Sequence, residues 1–351
     1  MLNLPMLNLP LLKQRGLRLL TGRKTYKDLS DKKWTLCPVE SSISPPAIYL
    51  PGELDKVTGV AEQTTYKNEL QRIQGGLTQH EATTAYRLRD VEIHNGYIYK
   101  GAMKLPLTTT KESWFNQYQT EYISEAALAC TLYGNRYFGH WMTDDVLLNL
   151  AARELAMAVR TSQKLSPNQI EYSHIFEINS TPVTHAKFKK LIIIEDYAQN
   201  QFKRQRYQYL RTKIKPLGSS LVSPGVMLLR GKSGAQRCLV NEDKIAEFLR
   251  SQGFIIIDPE QTPAGEIVRQ SLGAKMIIGV EGSQLANGLF TVADGGVILT
   301  LQPPYRFNNI YKGRADCLGI KYAFVLGKQV DGGFEISIED LVKTLEKIDS
   351  R

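Results

Sequence analysis

The chain has 351 residues, 42% apolar and 23% charged, enough for about two globular domains and unlike a disordered or fibrous composition. No apolar run approaches the ~20 residues of a membrane-spanning helix, and the four cysteines (Cys37, Cys130, Cys238, Cys317) stand too far apart for a disulfide framework or a Cys-rich zinc site. The net charge of +9 is concentrated: residues 1–33 carry +6, residues 187–215 carry +7, and the rest sums to −4.

Two basic stretches on a near-neutral body point to an anionic partner: a membrane surface, a nucleotide or a nucleic acid. A solvated face is the plain alternative. Residues 1–33 read as a basic appendage. MLNLP occurs twice, and a Leu-rich basic segment follows, which as a helix would suit an anionic membrane surface through residues 11–27. Poor order and packing on the body are the other readings. No secretory signal is legible there, because apolar residues precede the basic ones and prolines interrupt them.

Residues 35–110 read as irregular and β-rich. The clearest unit is 87–101, which alternates on both sides of Asn95-Gly96, a strong hairpin signal. Residues 121–160 read mostly as helix, with Trp141, Leu148, Ala152 and Leu155 at helical spacing. KKLIII at 189–194 predicts a short buried strand, and a basic helix covers about 200–213. Pro216 to Ser220 is the linker candidate.

Beyond the linker the rhythm is regular. VMLLR, FIIID, MIIGV, VILTL and KYAFVL predict strands, with helices over NEDKIAEFLRSQG, PAGEIVRQSLG, SQLANGLF, 308–318 and 338–348. Such alternation predicts a parallel, doubly wound sheet. The division expected is 1–33, 34–215 and 216–351, the last two being α/β domains facing one cleft.

The chemistry concentrates at four places. MIIGV–Glu281–Gly282–Ser283 is a buried strand turning into a helix, where free N–H groups suit a phosphate. Arg230 ends the first strand of the C-terminal half and Arg237 lies before the next helix. Two arginine forks plus that turn suit a diphosphate. A tie to Glu242 or Asp258 is the structural alternative for these arginines. Glu281, beside a phosphate, should face elsewhere, toward a sugar hydroxyl or toward an arginine.

His140 and Asp144 stand four apart on one helical face, a spacing that lets one act as general base and the other orient it. The plain alternative is acids favoured by a helix dipole. A metal reading of this pair lacks a third ligand, and no DxD motif is present. DPE at 258–260 reads as a helix cap. GVMLLRGKS has five residues between its glycines where a P-loop has four, which excludes an ATPase. No RNA- or DNA-binding motif supports a nucleic-acid partner.

These motifs resemble glycosyltransferase family 61. NRYFGHWMTDD (135–145) is similar to its Asn-Tyr-Phe-His-Trp segment with a following acid, with one extra residue before the histidine. Arg230, Arg237, Asn241 and Glu242 match its strand-ending Arg, second Arg and helix-opening Asn-Glu. Glu281-Gly282-Ser283, Leu285, Asn287 and Phe290 match its His-Gly-Ala…Leu…Asn…Phe, and Pro303, Leu318, Gly319 and Tyr322 follow in order. The resemblance spans about residues 85–327. Glu281 departs from the family's histidine, and Glu266 from a common glutamine.

The resemblance implies a GT-B-like fold of two Rossmann-like domains facing a cleft, the N-terminal one on the acceptor side and the C-terminal one binding nucleotide-sugar. It implies inversion without an essential metal or other cofactor, the nucleotide-sugar being a co-substrate. Catalysis would fall to Asp144 and His140, and donor binding to Arg230, Arg237, Asn241, Glu242, Glu281, Gly282, Ser283 and Asn287. The lack of a signal-anchor and the compact length look like the bacterial surface-polysaccharide branch: a cytoplasmic enzyme, peripheral on the inner membrane face, acting on a glycan or lipid-linked glycan with no nucleic-acid partner. A non-catalytic nucleotide- or glycan-binding module of an assembly complex is the reading from another class.

Overall fold

The computed structural model describes residues 6–116, 120–218, 223–231 and 237–350. Part of the linker (219–220) and of the excluded P-loop look-alike (232–233) lie outside them. The chain forms two compact units, each discontinuous in sequence. The first comprises Met1–Val39, Glu81–Ser166 and Glu177–Ala198, the second Glu40–His80, Pro167–Phe176 and Gln199–Arg351.

The first unit is built on an eight-stranded sheet. Its strands are β1 (Lys32–Cys37), β2 (Thr83–His94), β3 (Tyr97–Lys100), β4 (Met103–Pro106), β5 (Glu121–Leu128), β6 (Met157–Thr161), β7 (Thr181–Val183) and β8 (His185–Glu195). Their order is β7-β6-β5-β8-β2-β3-β4, with β1 added along β2. The β7–β6–β5–β8 portion is parallel and the rest antiparallel. The mixed sheet follows from the turn at Asn95-Gly96, where Asn95 has φ 45° and Gly96 φ 79°: the chain must return antiparallel. This unit therefore departs from the parallel Rossmann-like sheet expected of it.

Helix over 121–160 holds only in the middle. Residues 121–128 are strand β5, paired to β6 on one side and β8 on the other, and 157–161 are β6. Ala126, Ala127 and Leu128 are good helix formers, but two flanking strands offer them backbone partners and a buried place, and tertiary pairing overrides propensity. Strand β8 is also longer than KKLIII alone, since HAKFKK alternates buried and wetter positions ahead of the continuous apolar run.

The basic N-terminal segment forms helix α1 (Leu9–Thr21), capped by the Asn8 side chain. It packs on the first unit. Leu11 is fully buried beside Tyr97 and Tyr99, and Gln14 donates to the Ala102 carbonyl at 2.9 Å. Leu19 and Leu20 stay exposed.

A buried histidine pair links β2 to β8. His94 and His185 are register partners with Nδ1 atoms 2.9 Å apart. Burial lowers both pKa values, that of His94 to about 4, with His185 and Lys187 adding repulsion. A histidine whose folded pKa is depressed contributes stability that is complete above ~6.5 and lost as pH falls through 4, on the order of 3 kcal/mol for His94. His94→Gln should therefore flatten the acid limb of a melting-temperature profile between those values. Parallel limbs for variant and native protein would refute this.

The second unit holds a five-stranded, wholly parallel sheet of β9 (Val226–Leu228), β10 (Ile255–Ile257), β11 (Met276–Val280), β12 (Val297–Gln302) and β13 (Lys321–Leu326). Helices α4 (Gln201–Ile214), α5 (Glu242–Ser251), α6 (Ala264–Ser271), α7 (Leu285–Thr291), α8 (Ile310–Leu318) and α9 (Ile338–Asp349) accompany it. The order β10-β9-β11-β12-β13 is doubly wound, and the winding reverses between β9 and β11. Crevices at such reversals, beyond the carboxyl ends of the strands, are where α/β sheets bind ligands. A short antiparallel pair, Lys328–Val330 with Gly333–Glu335, follows β13 and has no counterpart in the expected elements.

Residues 40–80, placed with the N-terminal half on sequence grounds, count with this unit, as do 167–176 and 199–215. Buried carboxylates explain the first. Glu69, fully buried, accepts from the Asn309 backbone (2.6 Å) and side chain (3.0 Å) at the start of α8. Glu53, 2% exposed, accepts from the Leu326 backbone at the end of β13 and from Lys56. Each acid satisfies donors that would otherwise be orphaned in the interior.

Candidate functional site

In the second unit, three arginines gather at the β9/β11 reversal. Arg230 follows β9, and its backbone N–H donates to Glu242 Oε1 at 2.9 Å. Burial raises the Glu242 pKa against the opposing pull of that bond. A Cβ on Gly282 would lie 3.1 Å from Arg230 Nε and 2.6 Å from Gln284 Oε1, so the glycine admits the guanidinium against the turn. Arg237, about nine-tenths buried, donates to the Glu281 carbonyl at 2.9 Å and meets its carboxylate at 3.0 Å. Its Nε has no partner. The third arginine is Arg306, 2.6 Å from Glu281 Oε2.

Glu281 is buried and both its oxygens are engaged: Oε2 by Arg237 and Arg306, Oε1 by the Asn308 side chain at 2.9 Å. Of the two orientations open to it, the structure takes the one toward arginine rather than toward a sugar hydroxyl. Tyr311 donates to the Gly282 carbonyl at 2.9 Å and fixes the turn. Among the described residues, the N–H groups of Gly282, Ser283 and Gln284 bond no protein acceptor, while those of Leu285, Ala286 and Asn287 close tight three-residue turns. Thus three consecutive amides and the arginine edge, rather than the whole helix start, remain for an anion.

Two expected donor-binding residues have other work. Asn287 is 1% exposed; its Oδ1 accepts from Tyr172 (2.7 Å) and its Nδ2 donates to the Gln284 carbonyl (2.8 Å). Asn241 stands just before α5, where its side chain makes no capping bond and instead bonds both backbone groups of Ile336 at 2.8 and 3.2 Å. Both amides thus already serve the protein's own packing. Arg306, Tyr311 and Asn308 were missed by sequence reasoning. Only the basic residue soon after Pro303-Pro304 at the end of β12 hinted at the first.

In the first unit, His140 and Asp144 do pair: Nδ1 lies 2.6 Å from Asp144 Oδ2, with the two side chains 28% and 24% exposed. His140 immediately precedes, and Asp144 lies within, a π-helical turn over Trp141–Asp145, placed between helices α2 (Leu132–Arg136) and α3 (Val146–Leu155). Such widened turns recur at functional sites. Tyr133 and Tyr137 lie 5.4 and 6.1 Å from the imidazole, centroid to centroid. With Nδ1 committed to Asp144, Nε2 is the ring atom available for proton transfer, and it makes no hydrogen bond among the described residues.

Asp145 does something else. It is buried, and its Oδ1 accepts from the Thr131 backbone (3.0 Å) and hydroxyl (2.8 Å), tying the π turn to the start of α2. Burial pushes its pKa well above the ordinary carboxylate range, with Asp144 adding repulsion. A Cβ on Gly134 would sit 2.0 Å from this carboxylate, so only glycine fits there.

Among the described residues, no three His, Cys, Asp or Glu side chains come together as a metal ligand set, and no helix is long and apolar enough to cross a membrane. No curated protein matches the chain. Residues 138–298, somewhat under half of the chain, match the Glycosyltransferase 61 family model; the matched stretch carries His140, Asp144, Arg230, Arg237 and Glu281, and it supports glycosyltransferase family 61.

Proposed function

We propose that the chain is an inverting glycosyltransferase of the GT-B type, transferring a sugar from a nucleotide-sugar to a glycan or lipid-linked glycan in surface-polysaccharide synthesis. The observation that carries this reading is the meeting of Arg230, Arg237 and Arg306 with the Gly282-Ser283 amides at the reversal of a doubly wound sheet. Cations and amides at such a crevice are chemically matched to the diphosphate of a sugar nucleotide. They stabilise the charge that develops on the leaving group without a metal ion. Inversion also requires one base for the acceptor hydroxyl, and the His140–Asp144 pair supplies it. The enzyme would work in the cytoplasm, at the inner membrane face. The exposed Leu19 and Leu20 beside Arg18, Arg23 and Lys24 favour that peripheral contact.

A thermal-shift panel of nucleotide-sugars identifies the donor. With it, Arg230→Ala should raise the donor KM by about 10- to 100-fold, the range of one or two charge-assisted hydrogen bonds. Unchanged nucleotide affinity would count against the phosphate role. A native protein that binds nucleoside diphosphate but turns over no donor would favour the binding-module reading instead.

A further inference from the structure

The first unit contains a polar pocket of about 560 Å³, lined by the Asn95-Gly96 turn, the 108–113 loop, one face of α2 and the residues that end β6. The volume suits a small ligand. Its described lining includes Lys111 and Arg136 but no acidic residue and no aromatic ring. Hydroxyl and amide groups make up most of the remainder.

This pocket is distinct from the His140–Asp144 pair. Leu132, Asn135 and Arg136 line it at helical spacings of three and four, so they share one face of α2. Tyr133 and Tyr137, which approach the His140 ring, lie on another. Among the described residues neither Lys111 nor Arg136 has a carboxylate partner; the Arg136 guanidinium lies over the Tyr137 ring at 4.9 Å. Thr161, only 6% exposed, closes the pocket floor, with its hydroxyl engaged by the buried Cys130 thiol. The rim is already organised: Thr184 donates to Ser162 at 2.6 Å, and Asn135 donates to the Leu107 carbonyl at 2.7 Å.

We propose that this pocket binds a carboxylate-bearing saccharide, with Lys111 and Arg136 holding the carboxylate and the hydroxyl-rich wall holding the ring hydroxyls. Two cations without a carboxylate partner select an anion. Without a ring to stack on, a neutral sugar loses one of its usual contacts, and the many hydroxyls exceed what a bare anion uses. In the glycosyltransferase reading, which this deepens, the site would grip an acidic acceptor chain away from its reacting end.

Calorimetric titration of the full chain with digalacturonate tests the idea, with lactose and inorganic phosphate as comparison probes at low and high salt. Saturable, salt-weakened binding of digalacturonate is expected, with lactose and phosphate much weaker. Arg136→Gln and Lys111→Gln should each weaken it about tenfold while melting like the native protein. His140→Gln should leave it unchanged, which separates this site from the catalytic reading: transfer can fail while this binding persists, and the reverse. Absence of binding, native affinity in both cation variants, equal affinity for lactose, or equal affinity for phosphate alone would each overturn the proposal.

Discussion

Asp144→Asn is expected to lower kcat by about 10²- to 10⁴-fold, the range for loss of general-base assistance, while leaving the fold intact. The pair is about three-quarters buried on each side and sits at 2.6 Å, so its carboxylate fixes both the tautomer and the orientation of His140. With Asp144 accepting from Nδ1–H, the Nε2 lone pair is presented outward and can take a proton from an acceptor hydroxyl. The imidazolium that forms is then stabilised by the adjacent charge. Asparagine keeps the size but removes the charge, and its amide can turn to donate to Nδ1, which forces the proton onto Nε2 and removes the base. Stability should change little, since a partly exposed ion pair contributes only ~0–1 kcal/mol. His140→Gln should cost about as much as Asp144→Asn, and the double variant little more, because the two act as one unit. Steady-state transfer assays with the donor identified by thermal shift decide the matter. Full activity in Asp144→Asn would remove the pair from catalysis. Full activity in His140→Gln alone would move the base to the Asp144 carboxylate.

That pair was legible because its information is local. Four-residue spacing at a helical segment is enough to bring two side chains to one face, and even the π turn leaves them in contact. The second unit was legible for a related reason: its strands are short apolar runs buried on both faces, separated by amphipathic helices with clear stops. Strand order was not, because sequence rhythm fixes alternation and says nothing of which strand lies beside which. Here the reversal between β9 and β11 is what joins Arg230 to Gly282.

Elsewhere the controlling partners are distant. Glu53 and Glu69 look like surface acids in a polar stretch, yet each is buried against backbone donors more than 230 positions away. Their segment could not be assigned to its unit from its own composition. In β5, EYISEAAL carries neither a clean two-residue alternation nor a β-branched run, and its strand state comes from its neighbours. Asn241 and Asn287 stand where a ligand-binding amide would stand in sequence, but distant hydrogen bonds within the unit also engage both. Glu281 belongs to the same class: its neighbour Gly282 suggested a site, while its partner Arg306 lay across a further strand and turn.

The largest stability effect should come from Glu281→Gln. One buried carboxylate stands between two guanidiniums, with Asn308 completing its hydrogen bonds. The cluster therefore carries two positive charges against one negative, an imbalance that a diphosphate can correct. Removing the carboxylate charge leaves Arg237, about nine-tenths buried, facing Arg306 without compensation. Breaking a buried ion pair in this way costs about 3–5 kcal/mol; Arg306 is about a quarter exposed, which favours the lower figure. For a unit of this size that corresponds to a fall in melting temperature on the order of 10 °C. The same loss should strengthen the response to anions. In the native protein Glu281 competes with a phosphate for the two arginines, whereas in the variant the ligand meets them uncontested. Pyrophosphate or a nucleoside diphosphate should thus raise the melting temperature of Glu281→Gln by more than that of the native protein, and the excess should shrink at high salt. A variant as stable as the native chain would show that Glu281 does not hold the arginines. A destabilised variant with no larger anion response would keep Glu281 as a structural clasp and separate it from the phosphate site.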